Sequence, residues 1–226
     1  MFNKIILFSV KKNIYVLGVG HNTPVFIDYA LDSGYTIGGL YHYSSDYNTA
    51  IDCGYEILGS FDDLFAMDIA GKNFLLSMGD MKIRKKLTEK ILNNGGLLPS
   101  IIHPSAVISR YADISKQGVV IGPFSNIQAN TVISSNTIIL SGVIICHNNT
   151  IGSYCFIADG ALIGAYTVIE NNVFFGQGAL SISDKVRNIK KHTIVGARAL
   201  LTNSTQEDSI MYGLPALNHR NDIKKK

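Results

Sequence analysis

Isoleucine recurs at every sixth residue through the middle of the chain, and no other feature constrains the fold as strongly. Neither the 3.6-residue period of a helix nor the two-residue period of a flat strand produces this spacing. A prism-shaped coil does, because one aliphatic side chain fills the inside of each short face and each turn has three faces. The spacing predicts a parallel β-helix with three hexapeptides per coil. Its predicted inward residues are Ile121, Ile127, Ile133, Ile139, Ile145, Ile151, Ile157, Ile163, Ile169 and Phe175.

A second set of positions with the same six-residue period, which we call the second register, supports this prediction. Two residues before each inward residue stands a small or β-branched residue that fits a tight inward corner, with Asn149 as the one exception. The alternative is a β-sandwich with isoleucine-rich strands, but sandwich strands do not hold a single period through so many repeats. The register comprises Val119, Ser125, Thr131, Thr137, Val143, Asn149, Cys155, Ala161, Thr167 and Val173.

The hexapeptide pattern slips after Phe175 and resumes over residues 193–201. The intervening residues 178–191 are polar and charged, which favours a surface loop over a merely slipped turn. We therefore expect this segment to leave the coil.

The N-terminal half alternates strand and helix patterns. Strands are predicted over residues 13–17, 35–41, 73–77 and 97–102. Helices are predicted from Thr23 to about Ser33, after Ser60, and over about residues 81–92, with Thr23 and Ser60 as candidate N-caps. Such alternation is typical of a small parallel α/β domain of Rossmann-like type. The chain is long enough for two modest domains. We divide it into an α/β domain (1–102), a β-helix (103–217) and a basic tail (218–226).

A glycine-rich loop follows the first predicted strand. Gly18-Val19-Gly20 is a truncated dinucleotide fingerprint without its third glycine or its distant acidic residue. It is either a tight strand-to-helix turn or a phosphate site made by backbone amides and a helix N-terminus. Ligands of open α/β sheets bind beyond the carboxyl ends of the strands. The residues at those ends, which we expect to share one crevice, are Gly18, Gly20, His21, Tyr41, His42, Gly79 and Asp80.

Composition excludes several classes of function. A net charge of +3 is too small to indicate nucleic-acid binding. No apolar run approaches the roughly 20 residues that span a bilayer. The cysteines Cys53, Cys146 and Cys155 have neither metal-site spacing nor a paired framework, which favours a reducing cytoplasm. The start of the chain, through Lys12, is either an extra edge strand or a disordered lead.

Three motifs carry a resemblance to a known family. Gly213-Leu214-Pro215-Ala216, after the last coil, resembles the Gly-x-Pro-Ala ending of coenzyme-A-dependent hexapeptide acyltransferases. Residues 18–21 look like a shortened Gly-x-x-Gly-His loop, and residues 78–86 are similar to an Ile-Gly-Asn/Asp-x-x-x-Arg-Lys motif. Over about residues 13 to 217 the chain resembles the nucleotide-sugar acetyltransferases of the bacillosamine and viosamine pathways and their sialic acid O-acetyltransferase relatives. The resemblance implies that the β-helix is left-handed.

The resemblance also implies an activity. We expect acyl transfer, with acetyl-CoA or another acyl-CoA as co-substrate and without a metal, to the amine of a UDP- or dTDP-4-amino-4,6-dideoxy sugar in bacterial surface glycan synthesis. The family forms homotrimers that hold coenzyme A between two β-helices. This implies a cytoplasmic homotrimer without nucleic-acid or membrane partners. By motif position, the implied coenzyme contacts are Gly164, Ala165, Gly196, Ala197, Pro215 and Ala216.

The resemblance assigns the general base to His147, in a His-x-x-x-Ile-Gly run. Because His147 lies two residues after the inward Ile145, its side chain should point out of the coil. Neutral imidazole has a pKa suited to accepting a proton near pH 7. Asn148 follows, where the family commonly has an acid that orients the ring. Asp159 is a candidate to substitute for that acid from the adjacent coil.

Two further residues differ from the family's pattern at positions that concern ligand binding. Phe156 stands where many relatives have a second histidine, and we expect it to pack at the groove and influence sugar or acyl choice. Leu217 replaces the lysine that usually follows the Gly-x-Pro-Ala ending. Arg198, His219 and Arg220 are candidates to meet the coenzyme phosphates instead.

Four alternatives stay open at this point. A sugar O-acetyltransferase of the sialic acid type would use the same site. A small-molecule O-acetyltransferase would share the β-helix but would not need the Gly18–His21 loop. A β-helix carbonic anhydrase needs three histidines on neighbouring coils, whereas only His147 lies between Pro104 and Lys191. In a non-enzymatic scaffold, His147 would be incidental.

Overall fold

The computed structural model of the protein describes residues 12–220. The alternatives for the start of the chain before Lys12, and the last six residues of the basic tail, lie outside the described residues. Among residues 12–220, no helix is both long enough and apolar enough to cross a membrane.

The N-terminal region is a parallel sheet with helices. Its elements are β1 (Lys12–Leu17), α1 (Thr23–Asp32), β2 (Tyr35–His42), a short 3₁₀ helix (Ser45–Tyr47), β3 (Ile51–Asp52), β4 (Tyr55–Ser60), α2 (Phe61–Phe65), β5 (Asn73–Leu76) and α3 (Met81–Asn93). The strand order is β3-β4-β2-β1-β5, in which only β3 is antiparallel to its neighbour. The β3–β4 hairpin was missed by the sequence analysis.

The helix ends follow local chemistry. Ser60 and Asp63 form a capping box at α2, as Ser60 was predicted to do. Asp80 caps α3 by accepting hydrogen bonds from the backbone amides of Lys82 and Ile83. Thr23 was predicted as the cap of α1, but it is the first helical residue, and Asn22 occupies the cap position without a side-chain cap bond.

The remaining strands are short rungs. In chain order they are β6 (Ile101–Ile102), β7 (Val107–Ile108), β8 (Asp113–Ile114), β9 (Val120–Ile121), β10 (Asn126–Ile127), β11 (Val132–Ile133), β12 (Ile138–Ile139), β13 (Ile144–Ile145), β14 (Thr150–Ile151), β15 (Phe156–Ile157), β16 (Leu162–Ile163), β17 (Val168–Ile169), β18 (Phe174–Phe175), β19 (Leu180–Ser181), β20 (Asn188–Ile189), β21 (Ile194–Val195), β22 (Leu200–Leu201), β23 (Ile210–Tyr212) and β24 (Leu217–Asn218).

These rungs stack into three sheets, which confirms the predicted parallel β-helix. Face 1 contains β7, β10, β13, β16, β19 and β22, and face 2 contains β8, β11, β14, β17 and β20. Face 3 contains β6, β9, β12, β15, β18, β21, β23 and β24. We call the turns from face 3 to face 1 corner A, those from face 1 to face 2 corner B, and those from face 2 to face 3 corner C.

The predicted inward residues form the core of the prism. All ten, from Ile121 to Phe175, are at most 1% exposed, and so are the ten residues of the second register. Asn149, the exception among those corner residues, has its polar atoms satisfied inside the coil. Its Nδ2 donates to the carbonyl of Cys146 at 2.8 Å, and its Oδ1 accepts from the amide of Thr167 at 2.6 Å. A buried amide is tolerated where such partners exist.

The predicted surface loop at residues 178–191 is wrong. β19 and β20 pair in register with the preceding coil, and Ser181 takes an inward position at 1% exposure. The hexapeptide period shifts because the turn at residues 183–185 is longer than the turns of the preceding coils. After it, the buried Val186 takes the corner position. The coil therefore absorbs the insertion at corner B without leaving the stack.

The predicted fourth strand of the α/β domain, over residues 97–102, is also corrected. Leu97 makes only an isolated bridge to Asn73, and β6 pairs with β9 of the β-helix. The hydrogen-bonded stack of the β-helix thus begins at Ile101. The division into folding units at residues 102 and 217 stays a prediction.

The N-terminal region lies on face 3. Outward side chains of that face, Val120, Ile138 and Phe156, share a buried cluster with Phe26 and Leu75. At corner A, the hydroxyls of Tyr29 and Ser141 are 2.6 Å apart. At corner C, the ammonium of Lys85 lies 5.9 Å from the ring centroid of Tyr154. Corner B is the corner that does not border the covered face.

The turn between β1 and α1 depends on Gly18. Its φ of +97° is in the left-handed region, and an added Cβ would lie 2.9 Å from Met78 Cε. Gly20, two residues on, has no positive φ and nothing within 4 Å of an added Cβ. Thr23 Oγ1 accepts from the amide of Gly20 and donates to the carbonyl of Gly18. The loop is therefore held closed by the start of α1.

We predict a graded loss of stability when the core of the β-helix is truncated at Ile133. Ile133→Val should lower the free energy of unfolding by about 0.5–1.5 kcal/mol and Ile133→Ala by about 2–5 kcal/mol, because the rigid coil leaves most of the cavity unfilled. Urea denaturation followed by circular dichroism measures both. Equal losses, or a negligible loss for Ile133→Ala, would contradict a close-packed interior.

The two glycines of the loop should respond differently to alanine. Gly18→Ala should cost about 1–3 kcal/mol of stability because the backbone is held at a positive φ. Gly20→Ala should change stability by no more than about 0.5 kcal/mol. Thermal denaturation of the two variants side by side tests this, and a Gly20→Ala loss as large as that of Gly18→Ala would refute it.

Candidate active site

His147 lies at corner B, two residues after the end of β13, and its side chain is exposed. The sequence analysis expected it to point out of the coil, and it does. Its backbone amide donates to Gln128 Oε1 of the preceding coil at 3.1 Å. The ring of Tyr166, on the next coil, meets the imidazole edge-on with centroids 5.2 Å apart. The imidazole is thus accessible and is bracketed by side chains from two neighbouring coils.

Asn148 contacts the imidazole directly. Its φ of +57° is in the left-handed region, which asparagine tolerates better than most residues. Its Nδ2 lies 3.2 Å from His147 Nδ1, and its Oδ1 accepts from Asn130 Nδ2 at 2.9 Å. A neutral amide therefore stands where the resemblance implied a carboxylate.

The sequence analysis missed Asn130 and Tyr166 as neighbours of this site. A signal for them was present, because one coil is 18 residues long and residues 18 apart stack. Asn130, Asn148 and Tyr166 have this spacing, and all three have positive φ.

Asp159 does not orient the ring. It lies at corner A, and its carboxylate accepts a hydrogen bond from the backbone amide of Ser141 at 3.1 Å. The expectation that it could replace the missing acid is wrong, because Asp159 and His147 belong to different corners of the prism.

Phe156 also differs from its expected placement. It projects outward from face 3, is 6% exposed and stacks on Phe174 with ring centroids 5.5 Å apart. It therefore packs under the N-terminal region and not beside His147. An added Cβ on Gly79 would lie 4.0 Å from its ring, so Phe156 borders the loop that follows β5.

Gly164 and Ala165 lie at corner B, one coil beyond His147. The Gly164 amide donates to both the carbonyl oxygen and the Oγ of Ser181, at 3.1 and 3.0 Å. The Ala165 amide donates to Ser183 Oγ at 2.9 Å. A ligand oxygen could bind the Ala165 amide only if the exposed Ser183 hydroxyl turned away.

The other implied coenzyme contacts lie at the opposite edge of face 1. Gly196 and Ala197 follow β21 at corner A, beside the exposed Arg198. Pro215 and Ala216 are in the turn between β23 and β24, and the Ala216 amide donates to the carbonyl of Leu200 at 2.8 Å. The implied contacts thus flank face 1 on both sides. Arg220, a candidate to meet the coenzyme phosphates, is paired with Asp208, with 3.2 Å between Arg220 Nη1 and Asp208 Oδ2.

The predicted crevice exists at the carboxyl ends of the strands. A cavity of about 330 Å³ is lined by Gly18, Gly20, His21 and Gly79, together with the aromatic rings of Tyr43 and Phe61. A second cavity, of about 540 Å³, lies on the other side of the loop and contains His42. The His42 ring sits 4.2 Å from the Tyr43 ring and 4.3 Å from the Tyr47 ring, measured between centroids.

Tyr41 and Asp80 do not line the first cavity. Tyr41 is 4% exposed in the core, burial raises the pKa of its hydroxyl, and its contribution to the loop is a carbonyl that accepts from Gly18. Asp80 borders a groove of about 740 Å³ between α3 and the last coils, with Lys82, Lys85 and Asp208. The predicted convergence therefore holds for the glycine loop, His21 and Gly79, whereas Tyr41 is structural.

Arg84 of the post-β5 motif is buried and is not in the crevice. It is 3% exposed between α3 and the β-helix, where Nε and Nη1 find no hydrogen-bond partner among the described residues. Desolvation lowers the pKa of its guanidinium to about 10. Within residues 12–220, no group of three or more His, Cys, Asp or Glu side chains could hold a metal ion.

Comparison with characterised proteins finds similarity over part of the chain. No family model matches the chain. The GDP-perosamine N-acetyltransferase of Escherichia coli O157:H7 is 33% identical over 144 residues, which is 64% of this chain. The match spans 63% of that relative's length.

Solved structures share the whole fold. A mutant perosamine N-acetyltransferase from Caulobacter crescentus, in complex with CoA and GDP-perosamine, is 25% identical, with a TM-score of 0.84 over 91% of this chain and 96% of its own. The acetyltransferase domain of PglB from Neisseria gonorrhoeae, in complex with acetyl coenzyme A, is 23% identical, with a TM-score of 0.82 over 92% and 99%. The chain is therefore similar in sequence and in fold to left-handed β-helix nucleotide-sugar acetyltransferases.

Proposed function

We propose that the protein transfers an acetyl group from acetyl-CoA to the amine of a sugar linked to a nucleoside diphosphate. The observation that carries this proposal is the exposed His147 at corner B in a chain that also has a glycine-loop crevice. The relatives support it, because two of them are N-acetyltransferases of GDP-perosamine, an amino sugar on a nucleotide. A cytoplasmic location and a role in surface glycan synthesis are parts of the same proposal.

The crevice is the proposed site for the nucleotide. We regard the parallel sheet of β4, β2, β1 and β5 as Rossmann-like, with the diphosphate near the start of α1, where helix amides favour anions. The Tyr43 and Phe61 rings offer surfaces for a base. The resemblance in the sequence predicts UDP or dTDP as the nucleotide. The relatives add GDP, which should be tested before the other two.

The reaction needs one proton acceptor. The sugar amine attacks the thioester carbonyl, a C–N bond forms, and the tetrahedral intermediate expels the coenzyme thiolate as the C–S bond breaks. The proton lost by the nitrogen goes to His147, and the imidazolium then gives a proton to the departing thiolate, which leaves His147 neutral again. Imidazole is suited to this role near neutral pH. The Ala165 amide is a candidate to polarise the carbonyl oxygen once Ser183 releases it.

A single chain does not bring the two parts of this site together. The crevice belongs to the region packed on face 3, whereas His147 is at corner B, across the prism. The outward residues of face 1, next to His147, are mostly apolar: Val107, Ile144, Leu162, Leu180 and Leu200. We propose that a second copy covers this face, within a homotrimer, and that the acceptor sugar from one chain reaches His147 of another.

The crevice also weighs against a small-molecule O-acetyltransferase, which would not need it. Sugar O-acetylation would use the same base and crevice, so the acceptor atom is decided by the substrate test. The absence of a histidine cluster among the described residues gives no support to a zinc-dependent carbonic anhydrase.

Thiol release from acetyl-CoA should depend on a nucleotide-linked amino sugar and on His147. We expect turnover with at least one of the GDP-, UDP- or dTDP-4-amino sugars, and mass spectrometry should find the acetyl group on nitrogen. His147→Ala should lower kcat by about 10²- to 10⁴-fold, because proton transfer is lost. Unchanged turnover in His147→Ala would overturn the proposal. His21→Ala, which changes the crevice, should instead raise KM for the sugar nucleotide.

Subunit mixing tests the shared site. A His147→Ala chain and a chain whose crevice is blocked by Gly79→Trp should each be inactive alone. Mixed after reversible dissociation, they should recover part of the activity, since some interfaces combine an intact crevice with an intact His147. Sedimentation should show trimers throughout. Monomers with full activity, or no recovery in trimers shown to be mixed, would contradict the arrangement.

A further inference from the structure

We infer that Asn130 is a positioning residue that sets the tautomer of His147 through Asn148. The inference rests on the proposed function, in which His147 accepts a proton. It assigns a role to a residue of the preceding coil that does not touch the substrate. The amide row Asn130–Asn148–His147 would take the place of the carboxylate that the resemblance led us to expect.

The row is built by the coil. Asn130 and Asn148 are one coil apart at corner B, with φ of +56° and +57°. Their left-handed turns hold the two side chains in the same direction, so the amides meet at 2.9 Å. The second amide then meets His147 Nδ1 at 3.2 Å. Each contact joins a polar atom of one side chain to a polar atom of the next.

An amide row has a direction, because each amide has a donor end and an acceptor end. In the observed direction, Asn130 donates to Asn148 and the Asn148 NH₂ group points at His147 Nδ1. That direction makes Nδ1 the acceptor, so the ring proton of neutral His147 is on Nε2. Nε2 then cannot accept a proton from the substrate.

Turning both amides by 180° reverses the row at the same number of hydrogen bonds. Nδ1–H now donates to Asn148 Oδ1, the Asn148 NH₂ group donates to Asn130 Oδ1, and the lone pair of Nε2 is free. Only an acceptor at position 130 supports this direction. The side-chain amide of Gln128 also lies nearby, but its Oε1 already accepts a hydrogen bond from the backbone amide of His147. Asn130 therefore decides whether the base is ready to react.

Asn130→Gly and Asn130→Asp separate this role from a structural one. Glycine keeps the positive φ without strain and removes the amide. We expect kcat to fall by about 2- to 10-fold, the size of one partly exposed hydrogen bond, with KM unchanged for both substrates. Aspartate only accepts hydrogen bonds, so it holds Asn148 in the reactive direction, and kcat should equal or exceed that of the parent.

The pH profile gives a second readout. A carboxylate at position 130 favours the protonated imidazole and so raises the pKa of His147. A base is active only when deprotonated. The decline of kcat/KM on the acidic side should therefore begin at higher pH in Asn130→Asp than in the parent. Asn130→Gly adds no carboxylate, so this shift should be absent from that variant.

A third readout does not need turnover. In protein labelled with ¹⁵N-histidine, the His147 signals are those missing in His147→Gln. Above the pKa we expect the share of rings protonated on Nδ1 to be largest in Asn130→Asp, intermediate in the parent, where the amide supports either direction, and smallest in Asn130→Gly. The same ratio of tautomers in all three proteins would overturn the inference. Failure of the proposed function would instead show as no turnover with any sugar nucleotide.

Discussion

The stacking of aliphatic side chains inside a three-sided coil determines the surroundings of His147, the proposed base. Once Ile127, Ile145 and Ile163 are buried one above another, the outward residues beside them are placed in columns. A change at one corner is then felt by the residues about 18 positions away as well as by its sequence neighbours. His147 accordingly contacts Gln128 and Tyr166 of adjacent coils, and Asn130 reaches it through Asn148.

The sequence predicted the inside of the prism well because burial there is simple. Each inward site accepts one apolar side chain of limited size, so the period of six appears directly in the residue types. Asn149 shows that a polar residue is accepted when the coil supplies a donor and an acceptor. The outward position of His147 followed from the same period. The glycine loop was found because Gly18 needs a positive φ that few other residues adopt easily.

The outside was predicted less well because the period does not say what covers each face. Phe156 alternates with an inward isoleucine like any outward residue, and its burial comes from the N-terminal region that packs on face 3. The error at Asp159 had a different origin. Twelve residues separate it from His147, which is two corners and not a whole coil. The 178–191 segment was misread because charge within a turn at corner B resembles charge in a loop.

The position of His147 at an exposed corner makes a neutral residue beside it compatible with the proposed chemistry. A buried imidazolium would need a carboxylate, because a charge removed from water must be compensated. His147 is exposed at corner B in the single chain, and in the proposed trimer it lies at the edge of the covered face 1. In the proposed reaction, water at that edge stabilises the transient charge, and what remains to be supplied is the direction of the ring proton. An amide can supply direction only if its other end is also held. Under the inference above, Asn148 is therefore one member of a row, and the preceding coil contributes to the proposed active site.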